Sequence, residues 1–93
     1  MKLRYTDRAK DDIELALLWY ERQRRGLGYD FLDCVENGIK SIVANPKMYR
    51  VYYANFRGCV IRRFPFSIFY TIEDEEIAVH ALFDNRQDPA KRP

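Results

Sequence analysis

The first half of the chain carries apolar residues at the spacing of two amphipathic helices. Before them, Lys2–Tyr5 alternates polar and apolar residues, which predicts a short strand. Thr6 and Asp7 are good N-cap residues for the helix that follows, which is predicted to extend to about Arg24. One face of that helix is apolar and is expected to face the core. It consists of Ala9, Ile13, Ala16, Leu17 and Tyr20.

A second helix is predicted after a glycine-rich interruption. Residues 26–28, Gly-Leu-Gly, break the helical pattern and indicate the corner of a helical hairpin. The second helix then extends from about Tyr29 to Ala44 and ends at Asn45, because the residue before a proline disfavours the helical conformation. Its core-facing positions are Phe31, Val35, Ile39 and Ile42.

The second half of the chain changes to strand-forming patterns. Residues 48–53 predict an irregular or short extended segment, and three β-rich runs follow, separated by a corner at Pro65 and an acidic turn at Glu73–Glu76. Two adjacent helices before a run of strands do not make the alternating pattern of a parallel sheet. The predicted fold class is therefore α+β: a strand, a two-helix hairpin and an antiparallel three-stranded meander, with the helices on one face of the sheet. The three runs are Cys59–Phe64, Phe66–Ile72 and Ile77–Phe83.

Alternation within the last two predicted strands assigns their faces. One face is expected to pack on the helices and the other to lie open. The face of Cys59–Phe64 stays unassigned, because Arg62 and Arg63 are adjacent and must point in opposite directions. The helix-facing set is Phe66, Ile68, Tyr70 and Ile72 with Ile77, Val79, Ala81 and Phe83. The open-face set is Ser67, Phe69 and Thr71 with His80, Leu82, Asp84 and Arg86.

Three large apolar residues of the first helix, Leu15, Leu18 and Trp19, lie off its core-facing stripe. A surface helix in a monomer rarely exposes three such side chains on its second face. Either they pack against the neighbouring helix, or a partner protein covers them. The residues alone leave both alternatives open.

Charge is distributed unevenly along a chain of ordinary globular composition. Apolar residues make up 47% and charged residues 32%, which excludes a disordered chain. Residues 47–93 carry eight basic and six acidic side chains, and four of the acids form the turn at Glu73–Glu76. The rest of that half is therefore basic. This favours an anionic or nucleic-acid-associated partner, with a merely solvated surface as the alternative.

The cysteines and the start of the chain indicate an intracellular protein. Cys34 and Cys59 each lie within a predicted regular element and no signal-peptide pattern precedes them, so free thiols are expected. The longest apolar stretch, Ile13–Tyr20, contains Glu14 and is too short to span a bilayer. With no repeat or linker in residues 1–93, one cytoplasmic domain without a membrane segment is expected.

Candidate chemistry is limited to one histidine and a group of arginines. His80 has no second histidine or acidic partner at metal-site spacing, so neither a metal nor a cofactor is expected. Arginine binds phosphate or carboxylate in a bidentate manner, so arginines on an open sheet face suit an anionic polymer or an acidic partner. Alternatively, these arginines pair with Glu73–Glu76, Asp84 or Asp88 and only solvate the surface. They are Arg57, Arg62, Arg63 and Arg86.

A series of short motifs covers nearly the whole chain. No single motif is specific, but their order and spacing together resemble the RelE/ParE superfamily of bacterial toxins from toxin–antitoxin modules. The resemblance favours the ParE-like, plasmid-stabilisation type. The motifs are Leu18–Glu21 (LWYE), residues 26–28 (GLG), Phe31-Leu32, Asn45-Pro46, Val60–Phe66 (VIRRFPF), Phe66–Tyr70 (FSIFY) and Phe83–Pro89 (FDNRQDP).

The resemblance implies a growth-inhibiting toxin and a cognate antitoxin. The fold of the superfamily agrees with the element order predicted above. A small antitoxin would wrap the domain with an extended or helical segment, forming a toxin–antitoxin hetero-oligomer. That implies a role for the second face of the first helix, where Leu15, Leu18 and Trp19 become antitoxin contacts by helix-in-groove or strand-addition binding.

The superfamily divides by target, and this chain departs from its ribonuclease branch. RelE-like members cut messenger RNA in the ribosome, whereas ParE-like members poison DNA gyrase. Ser67 replaces the arginine of the RelE-like strand, Asp84 stands where many relatives carry histidine, and no tyrosine follows Arg86. The departures favour a binding inhibitor without enzymatic activity. Its expected target contacts are Arg57, Arg62, Arg63, Asp84 and Arg86.

Ribosome-dependent mRNA cleavage is the alternative function. The reaction needs groups that activate the ribose hydroxyl, protonate the leaving oxygen and stabilise the charged phosphorane. Under this alternative the catalytic residues would be Arg62, Arg63, His80 and Arg86.

Overall fold

Two helices and a five-stranded mixed sheet make up the computed structural model, which describes residues 1–93. The strand order is β1-β5-β4-β3-β2, with β1 parallel to β5 and the other neighbours antiparallel. The predicted α+β class is confirmed. Neither helix is long and apolar enough to cross a membrane. The elements are β1 Lys2–Tyr5, α1 Asp7–Gln23, α2 Leu27–Ala44, β2 Val51–Tyr53, β3 Phe56–Val60, β4 Phe66–Glu73, β5 Glu76–Asp84 and a short 3₁₀ turn at Pro89–Lys91.

The hairpin corner between α1 and α2 forms where the glycines predict it. Gly26 adopts a left-handed conformation with φ of 88°, which only glycine reaches without strain. A Cβ on Gly28 would lie 2.8 Å from the Leu17 carbonyl oxygen, so the two helices approach closely there. The Glu21 carboxylate accepts hydrogen bonds from the backbone amides of Gly26 and Gly28. These bonds satisfy amides that the start of α2 would otherwise leave without partners.

The main core lies between the helices and one face of the sheet. Its centre is a cluster of four aromatic rings from α1, α2, the turn before β4 and the first residue of β4. Phe31 is fully buried, and its ring centroid lies 5.1 to 5.3 Å from those of Tyr20, Phe64 and Phe66. This cluster fixes the hairpin against the end of the sheet where β4 begins and β5 ends.

A bulge in β5 changes the predicted faces of that strand. Tyr70 of β4 pairs with Val79 and Phe69 pairs with Ala81, so His80 is an extra residue between them. His80 and Ala81 therefore lie on the same face, and alternation is reversed from Ala81 onward. The predicted packing of Ala81 and Phe83 on the helices is wrong, as is the predicted open-face position of Leu82 and Asp84. Ala81 and Phe83 belong to a smaller cluster on the open face, whereas Leu82 belongs to the main core.

The run predicted as a strand over Cys59–Phe64 is displaced toward the N-terminus. β3 ends at Val60, and residues 61–65 turn the chain into β4. Arg63 has a positive φ of 69°, which no regular strand accommodates. Cys59 points into the main core, and both cysteines are free thiols as expected.

The open face of the sheet is covered in part by the C-terminus. Tyr52 packs against Phe69, with ring centroids 5.3 Å apart. The guanidinium of Arg92 lies 4.8 Å from the Tyr52 ring centroid and 5.9 Å from that of Phe69. These cation–π contacts hold the tail over an aromatic surface.

Candidate functional site

Arg57 has a structural position in β3, between β2 and β4. Its guanidinium donates hydrogen bonds to the backbone carbonyls of Lys47, at 3.0 Å, and Tyr49, at 2.8 Å. It thereby ties β3 to the segment that follows α2. Arg57 does not lie on the open face, contrary to the expectation of a basic sheet face.

Arg86 and Asp84 form a bidentate pair at the end of β5. Nε and Nη2 of Arg86 donate to the two carboxylate oxygens of Asp84, at 2.9 and 2.8 Å. The hydrogen bond from Arg86 lowers the pKa of Asp84, and the same bond raises the pKa of Arg86. Both groups are therefore charged at neutral pH. For Arg86, the alternative of pairing with a nearby carboxylate is confirmed.

Arg62 and Arg63 project from the corner between β3 and β4. Arg62 forms no ion pair within 4.0 Å. Arg63 and Arg24 lie on either side of Asp30, each with a guanidinium nitrogen 3.7 Å from its Oδ2. The expected basic open face is therefore wrong, because these arginines surround the hairpin end of the molecule instead.

His80 lies on the open face within a polar network. The Thr71 hydroxyl donates to a Glu73 carboxylate oxygen at 2.8 Å, so it accepts from Nε2 of His80, also at 2.8 Å. That assigns the neutral ring a proton on Nε2. Burial lowers the pKa of His80, although nearby Glu73 raises it in part. His80 is four residues from Asp84, about 13 Å along the strand at about 3.3 Å per residue.

The second face of α1 is exposed. Leu15 is 68%, Leu18 46% and Trp19 52% accessible to solvent, so packing against α2 does not bury these side chains. Leu15 also lines a cavity of about 260 Å³ together with Asp84 at the end of β5. The exposed apolar face of α1 therefore adjoins the Asp84–Arg86 pair.

Sequence reasoning missed Asp30 and Arg24 as neighbours of the β3–β4 corner. Both lie beside the glycine turn, and only the fold brings them to Arg63. A sequence signal existed in the run Arg22–Arg25, which places basic side chains at a predicted corner. No group of three or more His, Cys, Asp or Glu side chains could hold a metal ion.

Comparison with known proteins identifies the family. A family model described as the ParE toxin of the type II toxin–antitoxin system parDE matches residues 3–89. A solved structure described as the chromosomal ParDE system from P. aeruginosa has a similar fold, with a TM-score of 0.69 and 21% sequence identity over 90% of this chain and 95% of that one. No curated protein sequence matches. The predicted resemblance is confirmed: the chain belongs to the ParE toxin family of type II toxin–antitoxin systems.

Proposed function

We propose that this ParE-type toxin arrests growth by binding DNA gyrase, and that a cognate antitoxin neutralises it by covering α1. Membership of the ParE family supports a toxin with an antitoxin partner. The observation that carries the choice of a binding inhibitor is the position of His80. It lies on the open face, whereas Arg63 contacts Asp30 of α2 on the helix side of the sheet.

That separation argues against RNA cleavage by these residues. Cleavage needs an acid, a base and a phosphate-binding group within reach of one phosphodiester. His80 donates into the Thr71–Glu73 network, and Arg86 is held by Asp84 at the end of the strand. The Asp84 carboxylate is negatively charged at neutral pH, so it repels an RNA backbone next to Arg86.

The Asp84–Arg86 pair instead suits recognition of a protein surface. The bidentate geometry fixes the guanidinium plane, so Arg86 loses little conformational freedom on binding. Its side chain is still 61% exposed, whereas that of Asp84 is 19% exposed. Arg86 can therefore contact a target while Asp84 orients it. Arginine is among the residues that most often dominate the energetics of protein interfaces.

Antitoxin binding on α1 explains neutralisation by occlusion. A segment covering Leu15, Leu18 and Trp19 would bury their exposed apolar surface, at roughly 25 cal/mol for each Å² removed from water. Because Leu15 shares a cavity with Asp84, the same segment reaches the rim of the Asp84–Arg86 pair. Target and antitoxin would then compete for adjoining surfaces.

Controlled expression tests the proposal. Expression of the toxin alone is expected to arrest growth, and co-expression of the small protein encoded beside it is expected to restore growth. Normal growth with toxin present, verified by immunoblot, would contradict the toxin function in this chain. Growth arrest without inhibition of purified gyrase would support the toxin function and exclude gyrase as the target.

A further inference from the structure

A groove of about 520 Å³ lies between α2 and the corner that joins β3 to β4. Its α2 wall carries the polar side chains of Asn37 and Ser41, and its other wall ends in two adjacent arginines. Gly38 forms the close contact behind the groove, because a Cβ there would lie 2.8 Å from Ile68 Cδ1. The two arginines at its mouth are Arg62 and Arg63.

The guanidinium groups of Arg62 and Arg63 have unused hydrogen-bonding capacity. Neither donates a hydrogen bond to another residue, in contrast to Arg57 and Arg86. The 3.7 Å separation between Arg63 and Asp30 is longer than a hydrogen bond and leaves that contact loose. Each guanidinium offers five N–H donors in a geometry that matches phosphate.

The charge around the groove mouth favours an anion. Arg24 approaches the same Asp30 oxygen as Arg63, and Arg62 has no acidic partner. These four side chains together therefore carry a net charge of +2. An incoming phosphate would relieve the repulsion between the guanidinium groups.

Arg63 is held in a strained backbone conformation at this corner. Its φ of 69° costs a non-glycine residue about 1–3 kcal/mol. The guanidinium lies over the Phe64 ring, 5.5 Å from its centroid, which fixes the side chain at the rim. Strained residues of this kind cluster at binding and catalytic sites, where the surrounding structure maintains them.

We propose that this groove binds the phosphodiester backbone of duplex DNA. The inference rests on the proposed function in one respect: in the cell, the bound DNA would be the segment held by gyrase. Binding of DNA by the groove does not itself require gyrase. Binding of single strands relies on free aromatic rings that stack on bases. The aromatic ring in this groove, Tyr49, packs edge-on against Tyr70 with centroids 6.4 Å apart. Contact with the phosphates of a duplex, independent of sequence, is therefore favoured.

Fluorescence anisotropy with a short labelled DNA duplex at several salt concentrations tests the proposal. The affinity of the unmodified protein is expected to fall steeply as salt rises, because binding releases counterions from the DNA. The double variant Arg62→Gln, Arg63→Asn is expected to bind at least about tenfold more weakly and to reduce the salt slope by about two. Asparagine tolerates positive φ, so the corner is expected to keep its fold.

Arg4→Gln is the matched control, since it removes one exposed positive charge from the opposite end of the sheet. It is expected to change the affinity less than twofold. The inference would be overturned if the protein did not bind DNA at low salt. It would also be overturned if the control and the groove variant lost the same DNA affinity for each charge removed. Preferential binding to single-stranded DNA, duplex RNA or polyglutamate would also overturn it and identify the alternative ligand.

Gyrase inhibition is measured separately with the same proteins. Gyrase inhibition without DNA binding would reject the groove and retain the proposed function. DNA binding without gyrase inhibition would retain the DNA-binding groove and reject gyrase as the target.

Discussion

Leu15 on α1 and Asp84 at the end of β5 line one cavity, although they come from opposite ends of the chain. The exposed apolar face of α1 therefore continues into the charged pair that Asp84 forms with Arg86. Under the proposed function, an antitoxin segment on the α1 face would also approach the Asp84–Arg86 pair. The antitoxin and the target would then compete without any conformational change of the toxin.

Truncating Trp19 is expected to weaken antitoxin binding. Exposed tryptophans that become buried in an interface commonly contribute about 2 kcal/mol or more, so Trp19→Ala should raise Kd about 30-fold. Calorimetric titration with the purified antitoxin measures the change. Tyr29→Ala is the control, because Tyr29 is a comparably exposed aromatic residue, 70% accessible, that belongs to α2 and not to α1. Equal losses of antitoxin affinity in the two variants, or unchanged affinity in Trp19→Ala, would show that Trp19 is not part of the interface.

Removing Arg86 is expected to relieve toxicity while the fold persists. Arg86→Ala deletes the exposed group that Asp84 orients, and we expect at least a tenfold weaker inhibition of gyrase. Arg4→Ala is the matched control, because Arg4 forms a comparable exposed pair with Glu76 at the other end of the sheet. Both variants should unfold at temperatures close to that of the parent. Undiminished toxicity of Arg86→Ala would exclude this residue from the target site.

Replacing His80 is expected to leave toxicity unchanged. Glutamine offers an amide N–H that can donate to Thr71 Oγ1 as Nε2 of His80 does, so His80→Gln should preserve the local network. Growth arrest on induction is the measurement. If the variant were stably folded and more than tenfold less toxic, His80 would be a functional residue and the ribonuclease alternative would regain support.

Local sequence signals predicted the helices well because their causes are local. Thr6 caps α1, accepting a hydrogen bond from the Ala9 amide at 3.1 Å, and α2 ends at Ala44, with Asn45 as its C-cap before Pro46. Gly26 marks the corner through its own backbone freedom. Each feature depends on residues within one helical turn, so a pattern in the sequence is sufficient to place it.

The positions of site residues depended on long-range contacts and could not be predicted in the same way. The bulge at His80 exists only relative to β4, and it moved Asp84 to the helix side of the sheet. Arg57 is bound by carbonyls of a segment with no sequence signal for that role. The ion pair between Arg63 and Asp30 joins residues from different elements. Spacing along one strand contains no information about such partners.

The hairpin corner is expected to weaken in acid through Glu21. Hydrogen bonds from the Gly26 and Gly28 amides hold the pKa of Glu21 below its ordinary value of 4.5. A lowered pKa means that this carboxylate stabilises the fold fully above about pH 4.5 and progressively less as the pH falls through its folded-state value.

Glu21→Gln tests that contribution because it removes the charge and keeps the side-chain shape. Urea unfolding at neutral pH should show a lower midpoint for the variant than for the parent. The difference should shrink as the pH falls below 4.5, where the parent carboxylate also becomes neutral. A difference independent of pH would contradict the role of the charge.

The most direct test of the central claim compares two activities of one purified preparation. DNA supercoiling and cleavage-complex formation by gyrase are assayed beside mRNA integrity on translating ribosomes. A binding inhibitor is expected to stall gyrase and leave the mRNA intact, with Arg86→Ala losing the effect. Cleaved mRNA with fully active gyrase would contradict the account and make the protein a ribonuclease.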